Sequence, residues 1–193
     1  NDWIQAKVFD PKKMAQEYSD EELTPEDGFR VNGYDTDEPD MDIPHWRLIV
    51  DGLVQKPGEY SMEEITKLPK YVKNLRHCCV EGWSMIPKWG GVLMKDFLDM
   101  VGADPKARYI AAECGDDYYT AWDMPSAMHS QTLLAYEAYG KPLELEHGAP
   151  LRIVTALGGF LRRPDVERAA IAVLALDIVL ADEFLIGLPA RDG

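Results

Sequence analysis

Apolar and polar positions alternate over short stretches of this chain, and glycine and proline keep cutting the alternation. Trp46-Arg47-Leu48-Ile49-Val50-Asp51 is one such stretch, rich in strand formers and closed by the turn signal Asp51-Gly52. Pro57-Gly58 marks another turn. Ser61-Met62-Glu63-Glu64 places a serine at an N-cap with a glutamate three residues on, which predicts a helix to about Leu68, stopped by Pro69. Tyr71–His77 reads as a strand, and Trp89-Gly90-Gly91-Val92 as a tight turn. Val92, Phe97, Leu98 and Val101 carry helical spacing, and Gly102 ends that helix. Strands are expected at Arg108–Glu113, Tyr118–Trp122 and Leu151–Thr155, the last entered through Gly148-Ala149-Pro150. Pro125–Met128 and Thr132–Tyr136 read as short helical or extended pieces. Strands thus recur with short helices and long loops, without a regular strand–helix–strand alternation. That pattern predicts an α+β class with a mixed sheet rather than a doubly wound fold.

The pattern changes at both ends. Residues 1–44 are polar, acidic and broken by Pro11, Pro25, Gly28, Gly33, Pro39 and Pro44. They read as an extended arm wrapped on a single domain of residues 45–193, with a short helix around Lys12–Tyr18. Glu167–Leu188 is rich in alanine and leucine and reads as a helix. The apolar run Ala169–Leu188 is interrupted by Asp177, Asp182 and Glu183, so no membrane span is expected.

Composition narrows the function classes. The 193 residues suffice for one sizeable core, and 46% are apolar, as in ordinary globular chains. The formal charge of −14 repels phosphate backbones, so nucleic acid is not an expected partner. No basic stretch followed by an apolar one opens the sequence, and the start at Asn1 rather than Met suggests that something preceding it has been removed.

Three cysteines, Cys78, Cys79 and Cys114, do not make a disulfide framework. Cys114 is expected to be a buried small hydrophobe. Cys78 and Cys79 lie side by side in Arg76-His77-Cys78-Cys79-Val80-Glu81-Gly82-Trp83-Ser84. Positive charge lowers a thiol pKa, and the resulting thiolate is a nucleophile or a soft-metal ligand. Structural zinc scores low, because there is no C-x-x-C pair and the four histidines are scattered. A Cys/His nucleophile pair using His129 or His147 stays open.

Two further constellations carry chemistry. Glu146-His147-Gly148-Ala149-Pro150-Leu151-Arg152 sets a histidine before a Gly-x-Pro turn and an arginine at the next strand. Arginine offers a planar fork suited to phosphate. Glu113-Cys114-Gly115-Asp116-Asp117-Tyr118-Tyr119-Thr120 reads as a hairpin whose aspartate caps the turn or accepts from a ligand.

Taken in order, these pieces resemble the molybdenum-cofactor domain of the sulfite oxidase family. The matching features run from Trp46-Arg47-Leu48-Ile49-Val50-Asp51-Gly52 through Ser61–Glu64, His77–Ser84 and Trp89–Val92. They continue through Asp116–Thr120, Thr132–Glu137 and Gly140–Leu143 to His147–Arg152. The resemblance implies a bacterial, periplasmic, molybdopterin-dependent oxidoreductase of mixed-sheet sulfite-oxidase-type fold. It would carry out two-electron oxygen-atom transfer on a small sulfur-containing substrate, sulfite or sulfoxide, with a haem protein as electron partner. Cys79 falls on the family's molybdenum-ligating cysteine, and Glu81 where some members place an acid near the metal. His147 and Arg152 fall on the residues holding the pterin and its phosphate. By the same resemblance His77, Asp116 and Asn32 (which follows Phe29 and Arg30) would be further cofactor contacts. After Thr155 the pattern departs, since no lysine follows Lys141; Arg162 and Arg163 are the candidates to stand in for the phosphate-binding group, or else sit on an exposed turn. Two alternatives remain at this level: a cofactor-less binding module keeping the fold, and a thiol enzyme using Cys78 and Cys79.

Overall fold

The computed structural model describes residues 14–30, 41–78, 82–115 and 119–155, and the backbone of 170–174. Two sheets dominate, and helices are few and short. The first sheet uses β1 (Leu48–Gly52), β2 (Gly58–Tyr60), β7 (Tyr109–Glu113), β8 (Tyr119–Asp123) and β12 (Ala170–Leu174), in the order β2-β1-β12-β7-β8. The second uses β3 (Lys70–Asn74), β6 (Lys88–Leu93), β9 (Leu133–Ala138) and β10 (Lys141–Pro142), in the order β10-β9-β6-β3, with β11 (Arg152–Val154) also paired to β9. A two-stranded ribbon of β4 (His77–Cys78) and β5 (Ser84–Met85) stands apart. The β12–β7 pairing is parallel and the other sheet pairings are antiparallel, so the first sheet is mixed.

The main core lies between the sheets. Leu48 and Val50 of β1, Ile110 and Ala112 of β7, Val92 of β6, Leu134 of β9 and Ile153 of β11 meet there. Helix α2 (Met94–Val101) adds Met94, Phe97, Leu98 and Val101, and Gly102 ends it with φ 68°. Cys114 is buried in the same core. Helix α1 (Met62–Ile65) begins with the expected capping box: Ser61 Oγ accepts from Glu64 N–H at 3.2 Å, and Glu64 Oε2 accepts from Ser61 N–H at 2.8 Å. Its helical hydrogen bonding stops sooner than Leu68, which closes a following turn onto Ile65. Helix α3 (Met124–Ala127) is capped by Asp123.

Strand alternation gives the second sheet a second buried face. Leu133 and Ala135 point away from the main core and join Trp89, Leu143, Ala149 and Val154 in a separate cluster. Phe29 and Tyr139 pack against it.

Three sequence readings are corrected. Trp89-Gly90-Gly91-Val92 is no turn but the middle of β6, between β3 and β9. A Cβ at Gly91 would lie 2.7 Å from Ala135 Cα and collide with the Leu134 carbonyl, so glycine there permits close backbone approach. Residues 14–18 of the expected Lys12–Tyr18 helix are not helical. Glu17 bridges Leu75, and Tyr18 N–H donates to Asn74 O at 3.1 Å, because that backbone bonds to the sheet instead of to itself. Within the expected Glu167–Leu188 helix, Ala170–Leu174 is a strand. It fills the gap between β1 and β7, where both edges offer hydrogen bonds. The open reading at Thr132–Tyr136 is settled as strand. Among the described residues, no helix is long and apolar enough to cross a membrane.

Candidate functional site

Strand β11 carries Arg152 and Val154 on one face and Ile153 on the other. Ile153 enters the main core, so Arg152 emerges on the side of Trp89. Its side chain is almost fully buried, at 2% exposure. The guanidinium lies over the Trp89 ring, 5.0 Å from the centroid, and Nη1 donates to the His147 carbonyl at 2.9 Å. Stacking on an aromatic face and bonding to a carbonyl both suit a planar cation that stays charged when buried.

His147 ends a 3-10 turn, Leu145–His147, closed by Gly148 at φ 92° and followed by a cis Ala149–Pro150 bond. Its imidazole is buried and stacks on Phe29, with centroids 3.9 Å apart and planes at 27°. Burial lowers its pKa from the ordinary value; the exposed Glu146, whose Oε1 lies 3.6 Å from Nε2, opposes that, and Arg152 adds to it. Glu144, Glu146 and His147 bring ligand-type atoms within 4.8 Å, with both glutamates on the solvent side.

His77 on β4 is a third buried basic side chain, close enough to Arg152 to feel its charge. It is 4% exposed, and its pKa falls to about 4, first from burial and then from the positive charge of Arg152. Its ring lies 5.7 Å from that of Trp83. Its Nε2 is buried with no hydrogen-bond partner among the described residues.

The structure therefore brings together three of the expected site residues, His77, His147 and Arg152. Asn32, Cys79, Glu81, Asp116 and Arg162 lie outside the described residues. Arg76 is exposed, 5.2 Å from the Tyr18 ring. Four contributors were not expected: Phe29, Trp89, Arg30 and, beneath Arg30, Trp83. Their signal was local to other readings. Trp89 sat in the supposed turn, and Phe29 and Arg30 served only as flanks of Asn32.

A family model for the oxidoreductase molybdopterin binding domain matches residues 35–159, well over half of the chain. The chain belongs to that family. It is 39% identical over 160 residues to "Putative protein-methionine-sulfoxide reductase subunit YedZ1" of Azospira oryzae, covering 82% of this chain and 61% of that one. It is 33% identical over 155 residues to the protein-methionine-sulfoxide reductase catalytic subunit MsrP of Xanthomonas axonopodis, covering 69% of this chain and 48% of the relative. The chain thus spans about half to three-fifths of the length of these curated relatives. The sulfane dehydrogenase SoxCD of Paracoccus pantotrophus shares the fold, with a TM-score of 0.57 at 19% identity over 71% of this chain and 40% of that one.

Membership makes this a molybdopterin-binding oxidoreductase domain. The residues fit that cofactor. A phosphate-bearing anion calls for buried positive charge, which Arg152 supplies in a chain of net charge −14. A heterocycle with polar edges calls for buried hydrogen-bonding atoms, and the Nε2 of His77 is one.

Proposed function

We propose that this domain, with its sulfite-oxidase-type fold, reduces a small sulfoxide by two-electron oxygen-atom transfer. The sulfoxide gains two electrons and two protons and leaves as sulfide and water. The single observation that carries the reading is the buried wall of Arg152, His147 and His77. Support for the substrate class comes from the relatives' names, which are those of methionine-sulfoxide reductases. Molybdopterin, once bound, supplies a two-electron centre competent for oxygen exchange with sulfur.

The chain's own groups divide the remaining work. Arg152, seated on Trp89, holds the phosphate charge, and His147 flanks it. Neutral His77 offers Nε2 to a polar edge of the pterin without adding charge. Asn32 and Asp116 are further pterin contacts, and Arg162 a second phosphate contact. Cys79 holds the metal as thiolate, and Glu81 holds the proton that the substrate oxygen takes up. A haem protein delivers the electrons, in a periplasmic setting.

The test is purification from a host that makes the cofactor. Molybdenum and pterin analysis should give about one cofactor per chain, and methionine sulfoxide should be reduced by a reduced dye. Cys79→Ser should arrive without metal, and a fully loaded Cys79→Ser protein would sink the ligand assignment. Protein free of molybdenum and pterin would point instead to a partner-binding module. Loaded protein that turns over sulfite but no sulfoxide would reverse the direction.

A further inference from the structure

Phe29 enters the site from far away in sequence. Its ring stacks on His147 and meets Trp89 and Tyr139 edge-on, each with centroids 5.6 Å apart. Tyr139 is itself unusual. With Gly140 at φ 79°, it forms the two-residue turn between β9 and β10, and its own φ is 52°. Such turns favour asparagine, aspartate or glycine, and a bulky side chain in left-handed backbone is disfavoured. The tyrosine binds residues 24–29: its ring meets Phe29, and its hydroxyl donates to the Thr24 carbonyl at 2.7 Å. Thr24 is anchored again by its N–H to Ile86 O at 3.0 Å and by its hydroxyl, which accepts from Ile86 N–H at 2.8 Å. Phe29 is thus held from behind as well as in front. Trp89, which it touches, is the ring that carries Arg152.

We propose that Phe29 is a positioning residue for the cofactor site. It fixes the plane of the His147 imidazole directly and the seat of Arg152 through Trp89, so that the anionic part of the cofactor meets the Arg152 cation already in place. This rests on the functional reading above. Aromatic edge-to-face and stacked contacts give the socket its geometry, and the Phe29 side chain brings no charge or hydrogen bond of its own.

The experiment uses loaded protein with Phe29→Leu, which keeps apolar bulk and removes the ring, and Phe29→Tyr, which restores it. The His147 ring C–H signals, assigned by their loss in His147→Gln, lie in the ring current of Phe29. In Phe29→Leu they should move downfield, and the imidazole should titrate at higher pH as its burial is relieved. Pterin release from the purified protein should quicken by about 10-fold or more, the scale at which partners that orient ligands act. Phe29→Tyr should restore both readouts. His147 signals that stay in place in Phe29→Leu overturn the proposal, and so does unchanged pterin release when the signals do move. Wild-type chain that loads no molybdopterin overturns the functional reading and this inference with it. Loaded wild type indistinguishable from Phe29→Leu overturns this inference alone.

Discussion

Gly148 shows how one residue without a side chain places another that has one. At φ 92° it turns the chain out of the Leu145–His147 turn, and its N–H donates to Leu145 O at 3.0 Å. A Cβ there would lie 3.2 Å from Arg152 Cδ, 3.3 Å from Cβ and 3.4 Å from Cγ. The arginine stem therefore runs close beneath the turn on its way to Trp89. Gly148→Ala carries two costs. Left-handed backbone costs an L-residue about 1–2 kcal/mol, and the methyl group pushes on a buried stem that close packing leaves little room to move. The unfolding free energy read from urea titration should fall by that amount or more. Pterin content after purification should fall too, because the displaced group is the cation. A variant that loses stability but keeps full pterin content would show that Arg152 tolerates the shift.

At the scale of elements, the segment 14–30 is held along its whole length by the second sheet and its surroundings. Ala15 exchanges hydrogen bonds with the buried Gln131, and Glu17, Asp20 and Glu26 pair with Lys73, Lys88 and Lys141. Burial raises the Glu17 pKa, but hydrogen bonds from Lys73 and Gln131 and the charge of Lys73 outweigh it, so the carboxyl sits below its ordinary 4.5. A depressed folded pKa means stability that is fully present above 4.5 and fades as pH falls through the folded value. Acid should therefore loosen this segment, seen as a melting temperature that drops between neutral and acid pH. In Glu17→Gln that drop should be smaller and the neutral-pH value lower, and identical pH profiles would remove Glu17 from the account. Most elements were legible because each had a local cause: the Ser61 cap, the Gly102 stop, the alternation in β1. The misses were elements whose cause is a distant partner. Gly90-Gly91 resembles a turn until Leu134 and Ala135 are laid against it, and the alanine- and leucine-rich composition around Ala170–Leu174 favours helix until β1 and β7 are laid on either side. In the site, His147 and Arg152 share a motif and could be read together. The approach of Phe29 to His147, across more than a hundred residues, leaves no trace in local pattern.

Over the whole molecule, the core and the candidate site lie on opposite faces of the second sheet. Core residues Val92, Leu134 and Ile153 face one way, and Trp89, Leu133 and Val154 face the other, where Phe29 joins them. The second cluster is smaller and depends on segment 14–30 to complete it. A ligand that binds only the folded state stabilises it by about 2.7 kcal/mol when present at a hundred times its dissociation constant. That stabilisation reaches whatever must be folded for binding, and here it includes the segment bearing Phe29. Limited proteolysis should therefore cleave within residues 14–30 faster in cofactor-free protein than in loaded protein, with the strands of the second sheet cut more slowly in both. High salt should speed cleavage of the cofactor-free form, because exposed pairs such as Asp20–Lys88 are screened. The loaded form should respond less, since the bound cofactor adds to what keeps the segment folded. Equal cleavage rates in the two forms would mean that this segment and the cofactor do not share a folding equilibrium.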